Sequence, residues 1–290
     1  MKIETVNINT YGVYEIKTQG ELNFIKRKEI DKFDFFDSDG EESFNTAEDI
    51  VFGSRDITVR CGLIGATNDL ITKLDTFKAI LETTGLLTLE TGSGEAYEVY
   101  YLGGDDFKRI SKRQTSVSLG TFTLKFREPD PDDSTIVGDA LPTPEVTPPT
   151  GVPDGDSKFR IDDYDLFYNF GVNVISVRGI HSFAKRKQFP IPVDIWNSGE
   201  AYTPNTTAIH FAGRDVILSC TLRADTIAQF LMNFRLFKNL IYTAGLRSLK
   251  LPYEGTGYEI YLMNEGKVEM MTKWSGVPLV AKFDLKFRQP

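Results

Sequence analysis

The chain has 290 residues, 41% hydrophobic, 12% aromatic and 26% charged, the proportions of a folded soluble protein long enough for about two domains. Its net charge of −8 argues against sequence-independent binding to duplex DNA, which needs clustered positive charge. Two cysteines and two histidines are too few for a structural zinc site or a disulfide framework; no apolar run reaches the ~18–20 residues of a membrane-spanning helix, and Met1-Lys2-Ile3-Glu4 opens no apolar signal region.

Internal repetition organises the rest. Shifted by 159, residues 12–61 align without a gap on 171–220, with fifteen identities in fifty positions. Gly20 meets Gly179, Phe24 meets Phe183, Lys26-Arg27-Lys28 meets Lys185-Arg186-Lys187, Arg55-Asp56 meets Arg214-Asp215 and Cys61 meets Cys220. At a shift of 160, Phe77-Lys78 meets Phe237-Lys238; at 161, Tyr97–Tyr100 meets Tyr258–Tyr261 and Phe122–Pro129 meets Phe283–Pro290. The unit is too long for a solenoid repeat, so each copy is expected to be a domain, at 1–130 and 158–290.

In chain order, Tyr14–Thr18 reads as a strand ending at Gly20. The stretch from Gly20 to Phe52 carries Phe33, Phe35 and Phe36 and predicts a projecting hairpin or a long loop. Ile57–Cys61 alternates apolar and polar residues, the mark of a half-buried strand. A helix follows, capped by Asn68 or Asp69, with Leu70, Leu74, Phe77 and Leu81 on one face and Gly85 as its stop. Leu86–Glu90, Tyr97–Leu102 and Ser116–Phe126 read as strands, the last closed by Pro129. Residues 131–157 hold six acidic residues and no Lys or Arg, and 129–157 hold seven of the thirteen prolines, which predicts an extended semi-rigid linker. The second copy repeats the plan: strands at Val174–Arg178 and Val216–Cys220, a helix from Asp225 carrying Ile227, Phe230, Phe234, Phe237 and Ile241 with Gly245 as its stop, and closing strands. The expected fold class is mainly β (α+β): two homologous domains, each an antiparallel β-sandwich or half-barrel with one packed helix.

Residues with chemical potential are few. Cys61 and Cys220 read as small core residues rather than a redox or metal pair. His181 and His210 have no counterparts in copy one, where Leu22 and Val51 stand, and no nucleophile, base and acid come together in sequence. Gly92-Ser93-Gly94 lacks the GK[ST] of a P-loop. No catalytic residue, cofactor or metal is expected, and the protein is read as a non-enzyme. Arg55-Asp56 and Arg214-Asp215 are candidates for an internal Arg–Asp pair or an arginine reaching across an interface. Lys26, Arg27, Lys28 and Lys185, Arg186, Lys187 are candidates for a solvated strand end or for contact with acidic groups of a partner subunit. Tyr97, Tyr100, Tyr101, Tyr258 and Tyr261 are candidates to line a sugar site, though their strand spacing also suits core and interface.

Charge is distributed unevenly. Residues 1–130 carry 16 basic and 23 acidic side chains, whereas 158–290 carry 17 and 12. Homologous units of opposite sign suggest head-to-tail association, copy one of one chain meeting copy two of the next.

The order of strand, long hairpin, Arg-Asp-led strand, helix, glycine, the Tyr97–Tyr101 strand and the closing Phe122–Pro131 strand resembles the bacteriophage tail-tube module shared by tail tube, distal tail and baseplate hub proteins. The resemblance implies sheets joined laterally into a ring around a channel through which DNA passes as cargo. It implies self-association, with duplicated chains forming a trimer that mimics a hexamer, or a hexamer. It also implies contacts with other tail or baseplate proteins, no membrane insertion, and a place in the virion tail after assembly in the host bacterial cytoplasm. Many distal tail proteins end in a carbohydrate-binding-like domain; this chain repeats its first domain instead, which favours a pseudo-hexameric ring. The alternative is a duplicated β-sandwich that binds receptor or carbohydrate at a tail tip.

Overall fold

The computed structural model of the chain describes residues 1–25, 32–33, 42–43, 52–66, 69–82, 85–105, 107–110, 117–131, 140–144, 158–183, 185, 211–243, 245–263, 266–272 and 278–290. Two eight-stranded sheets dominate it. The first contains β1 (Lys2–Ile3), β2 (Val6–Asn7), β3 (Val13–Gln19), β6 (Arg55–Ala66), β7 (Leu87–Glu90), β8 (Ala96–Gly104), β9 (Lys108–Arg109) and β10 (Val117–Glu128). Its order is β2-β1-β7-β8-β10-β6-β3, with β9 on β10. The second contains β11 (Arg160–Ile161), β12 (Tyr164–Asp165), β13 (Val172–Arg178), β14 (Arg214–Ala224), β15 (Arg247–Lys250), β16 (Gly257–Leu262), β17 (Val268–Met270) and β18 (Leu279–Gln289). Its order, β12-β11-β15-β16-β18-β14-β13 with β17 on β18, repeats the first strand for strand. All pairings in both sheets are antiparallel. Between β3 and β6, β4 (Lys32–Phe33) and β5 (Glu42–Ser43) pair with each other, so a hairpin forms where the sequence allowed either a hairpin or a loop.

The long strands alternate as their sequence predicts. In β6, Ile57, Val59, Cys61 and Leu63 are buried while Asp56, Arg60 and Ile64 are exposed, because successive side chains point to opposite faces. One strand serves two layers. The first half of β8 pairs with β7, Leu87 opposite Val99, and its second half pairs with β10, Tyr101 opposite Phe126. The strand β16 divides in the same way between β15 and β18. Each sheet thereby encloses its own core, the expected sandwich.

Three α-helices lie among the described residues: α1 (Leu70–Leu81), the five-residue α2 (Leu166–Phe170) and α3 (Ile227–Tyr242). The short 3-10 turn Ile8–Tyr11 occupies in the first unit the place of α2 in the second. Two boundaries differ from the sequence expectation. Thr226, not Asp225, caps α3, its hydroxyl accepting from the Gln229 amide at 3.2 Å; the Thr226 backbone is extended, as a cap requires. Neither helix runs to its glycine. They end at Leu81 and Tyr242, where the amides of Glu82 and Thr243 close the last turns on Lys78 and Asn239. Gly85 and Gly245 come four and three residues later with φ of 109° and 91°, and they begin the turns into β7 and β15 instead of stopping the helices.

Two hydrophobic clusters form. One gathers Ile3, Val59, Cys61, Phe77, Leu89, Phe122 and their neighbours from the first unit. The other fills the second unit, and four of its buried residues come from the first: Leu22, Phe24, Ile25 and Phe52. Leu141, in the proline-rich stretch, also packs against this second cluster.

Candidate subunit interface

The contact between the units begins at a glycine. After β3 the chain must leave the sheet over the backbone of β6, and Gly20 makes that turn at φ 94°. A Cβ there would sit 2.1 Å from the Asp56 carbonyl oxygen, so no other residue fits. Gly179 repeats the arrangement after β13, with φ 92° and 2.0 Å to the Asp215 carbonyl. Beyond Gly20, residues 21–25 run onto the second unit as a strap.

The strap is held by backbone and by one ring. The Phe24 amide donates to the Gly266 carbonyl at 3.0 Å, and the Val268 amide donates to the Asn23 side-chain oxygen at 3.0 Å. The Ile25 amide donates to the Tyr242 hydroxyl at 2.5 Å, and that hydroxyl donates in turn to the Ile25 carbonyl at 3.2 Å. The Phe24 ring, fully buried, meets Phe234 at 5.3 Å, Phe237 at 6.3 Å and Phe283 at 5.3 Å between centroids. Phe52 stands edge-on to Tyr242 at 5.0 Å. Burying a phenylalanine stabilises by about 1.5–3 kcal/mol, and edge-to-face geometry adds to this.

Lys238 sits beneath the strap, only 5% exposed. Its ammonium donates to the Asn23 carbonyl at 3.3 Å and lies 4.5 Å from the Phe234 ring centroid and 5.5 Å from that of Phe24. Burial, reinforced by the positive charge of Arg55, holds its pKa well below the ordinary lysine value; Glu128 and Glu95 oppose that shift. Beside it, Arg235 reaches from α3 to Glu95 at 2.6 Å. These groups border a cavity of about 190 Å³ between the units, lined also by Leu22, Tyr97 and Leu231.

The sequence candidates separate. Arg55 and Asp56 do not pair with each other, because adjacent strand residues face opposite ways. Arg55 turns inward to the cavity and is buried with Glu128, at 2.7 Å from Nε and 2.5 Å from the guanidinium terminus. It also donates to the Glu21 carbonyl at 2.9 Å and covers the Tyr97 ring at 4.8 Å. Asp56 faces solvent and takes a two-pronged bond from Arg127 at 2.6 and 2.9 Å. The Arg127 hydrogen bond holds the Asp56 carboxyl below its usual range. In the second unit Arg214 donates to Gln289 and to the Ser182 carbonyl, each at 2.9 Å. Burial raises the pKa of Asp215, but bonds from Lys286 at 2.7 Å and Arg288 at 2.8 Å outweigh it and lower the value. Lys185 is exposed; Lys26, Arg27, Lys28, Arg186 and Lys187 lie outside the described residues.

Cys61 and Cys220 are fully buried in separate clusters. Burial, with a contribution from Glu15, pushes the Cys61 thiol up to about 12, and burial raises Cys220 as well. His181 is exposed and lies 3.0 Å from Glu254; His210 is outside the described residues. Tyr97 and Tyr261 are buried, so neither presents a face to a sugar. Among the described residues no cluster of metal-ligating side chains forms, and no helix is long and apolar enough to cross a membrane.

The groups that build the contact — Leu22, Phe24, Phe52, Glu95, Arg235, Lys238 and Tyr242 — were not singled out from sequence as interface. Three of them carried a signal there, Phe52 by recurring as Phe211. Phe24 recurs as Phe183, and Lys238 recurs as Lys78 inside an otherwise apolar helical stripe.

No protein-family model and no curated protein matches the chain. Among solved structures it is similar to the Dit (gp 19.1) protein of phage SPP1, described as a paradigm of the hub adsorption apparatus in phages that infect Gram-positive bacteria. The match covers 44% of this chain and 49% of that one, at 15% identity and a TM-score of 0.33. The chain thus spans about half the length of that protein.

Proposed function

We propose that the chain is a non-enzymatic structural component of a phage tail, its two units standing as successive members of a ring around the DNA channel, at the baseplate or distal tail or within the tail tube. One observation supports this above the others. The two units repeat each other in strand order, yet they meet through different surfaces: the strap of the first lies on α3 and β17 of the second. A contact of this heterologous kind leaves a strap on one side and a helix face on the other, so it propagates to further copies and closes into a ring when the rotation allows. The opposite net charges of 1–130 and 158–290 favour the same head-to-tail order. The sequence resemblance to tail-tube modules supplies the setting, the DNA cargo and the neighbouring tail proteins.

Light scattering at low and high salt, with negative-stain images of the same samples, tests the reading. The expected result is a closed trimer or a six-lobed ring that loosens as salt screens the attraction. Stacked rings would place the protein in the tube, single rings at the baseplate. A 32.7 kDa monomer at every salt and protein concentration would overturn spontaneous ring closure.

A further inference from the structure

Each half of the internal contact has a counterpart that the single chain leaves open. The counterpart of Phe24 is Phe183, four residues after the positive-φ glycine Gly179 as Phe24 is four after Gly20. Phe24 is 0% exposed, whereas Phe183 is 101% exposed. The counterpart of α3 is α1. Where α3 buries Leu231 and Lys238, at 8% and 5% exposure, α1 presents Ile71 and Lys78, at 73% and 55%. The aromatic seat of Phe24 is built from Phe234, Phe237 and Phe283; its counterparts are Leu74, Phe77 and Phe122. These last three line a cavity of about 200 Å³ on the first unit, bordered also by Phe107 and Tyr101.

We infer that Phe183 of one chain seats in the Leu74–Phe77–Phe122 cavity of a second copy of the same chain, repeating between chains the contact that Phe24 makes within one. This rests on the reading of the chain as a self-assembling component, and it names the contact. The opposite net charges of 1–130 and 158–290 favour the pairing. At the contact itself Lys78 and Asp105, the latter paired with Lys125 at 3.2 Å, border the cavity, and His181, paired with Glu254 at 3.0 Å, and exposed Lys185 flank the plug. Lys78 and the Ser182 carbonyl, which accepts from Arg214 of its own chain at 2.9 Å, are the counterparts of Lys238 and the Asn23 carbonyl.

The two seams are not equal. The internal one has the Arg235–Glu95 ion pair and the Tyr242 hydroxyl bridging the Ile25 backbone. At the corresponding places the seam between chains has Asp75 and Thr256, and Glu82 in place of Tyr242. It lacks an ion pair and a bridging phenol there, so it is the weaker seam and the one that opens first.

Cysteine trapping tests the contact. Phe183→Cys in one preparation and Leu74→Cys in another are mixed and mildly oxidised. The native Cys61 and Cys220 are buried with raised thiol pKa values and stay silent. The expected product is a disulfide-linked pair of chains in the mixture and in neither preparation alone. Phe183→Asp, at an exposed position, should melt at the wild-type temperature and associate at least tenfold more weakly. Wild-type chains that associate while the mixture gives no linked pair, or a Phe183→Asp chain that associates as the wild type does, would overturn this contact and leave the ring reading standing. A chain that stays monomeric and gives no linked pair would overturn both.

Discussion

At the scale of single residues, the contact between the units is built around two charged groups whose burial has opposite consequences. Arg55 and Glu128 are buried together, and each satisfies the other. Arg55→Ala would leave the Glu128 carboxylate buried without its cation, a loss of about 3–5 kcal/mol, read as a lower denaturation midpoint. Glu128→Gln copies the second unit's own solution, Gln289 facing Arg214, and is expected to cost less. Among the described residues no carboxylate forms an ion pair with the buried Lys238. Its folded pKa is lowered, so the unfolded chain binds more protons between that lowered value and the ordinary 10.5. Stability therefore rises with pH across that window. Lys238→Met should remove this slope and match or exceed the wild type in thermal stability at pH 7. A steep slope persisting in the variant would assign the effect to another group. Asp56 gives a slope in the same direction, in the acid range. Its carboxyl is held low by Arg127, and the stabilisation present above its unfolded value is lost as pH falls through the folded one. The Arg127–Asp56 pair is exposed, so this acid effect is small.

At the scale of elements, the alternation of β6 and β14 and the apolar stripes of α1 and α3 were legible in sequence, because a strand half-covered by one core and a helix lying on it must repeat at their own periods. The duplication was legible too, and the structure repeats it in strand order. What escaped the sequence was geometry that only tertiary approach decides. Arg55 and Asp56 are neighbours in sequence and part company in space; nothing local indicates that Glu128 and Arg127 await them on β10. Five of the ten residues named as interface candidates from sequence fall outside the described residues, and of the rest only Arg55 borders the cavity between the units. The glycine-led turn was visible as a strand end, but not as the device that throws the strap outward. Gly20→Ala and Gly179→Ala would each meet a carbonyl at about 2 Å and occupy a disfavoured φ, a cost of about 1–3 kcal/mol. Their effects should differ in kind. Gly20→Ala should loosen the two units within a chain, and Gly179→Ala should weaken association between chains with less effect on the fold of either unit. Hydrogen exchange at residues 21–25 separates the two outcomes.

At the scale of the whole molecule, the halves differ in net charge and in how completely their helices are covered, and the second difference follows from α3 lying under the strap of the first unit while α1 carries none. Arg235→Glu would set two acids against each other at Glu95 and should expand the single chain in small-angle scattering. In the proposed contact between chains the corresponding residues are Asp75 and Thr256, so that seam should be unaffected. The tether between the units has a consequence of number. Because the first unit is linked covalently to the second, half of all joints in an assembly form at the effective concentration of a tethered pair and are made before two chains ever meet. In the proposed ring, units therefore arrive in couples. A ring of such couples has an even count of lobes, so errors of five or seven, open to a single-unit protein, are closed to this one by arithmetic rather than by the precision of any contact angle.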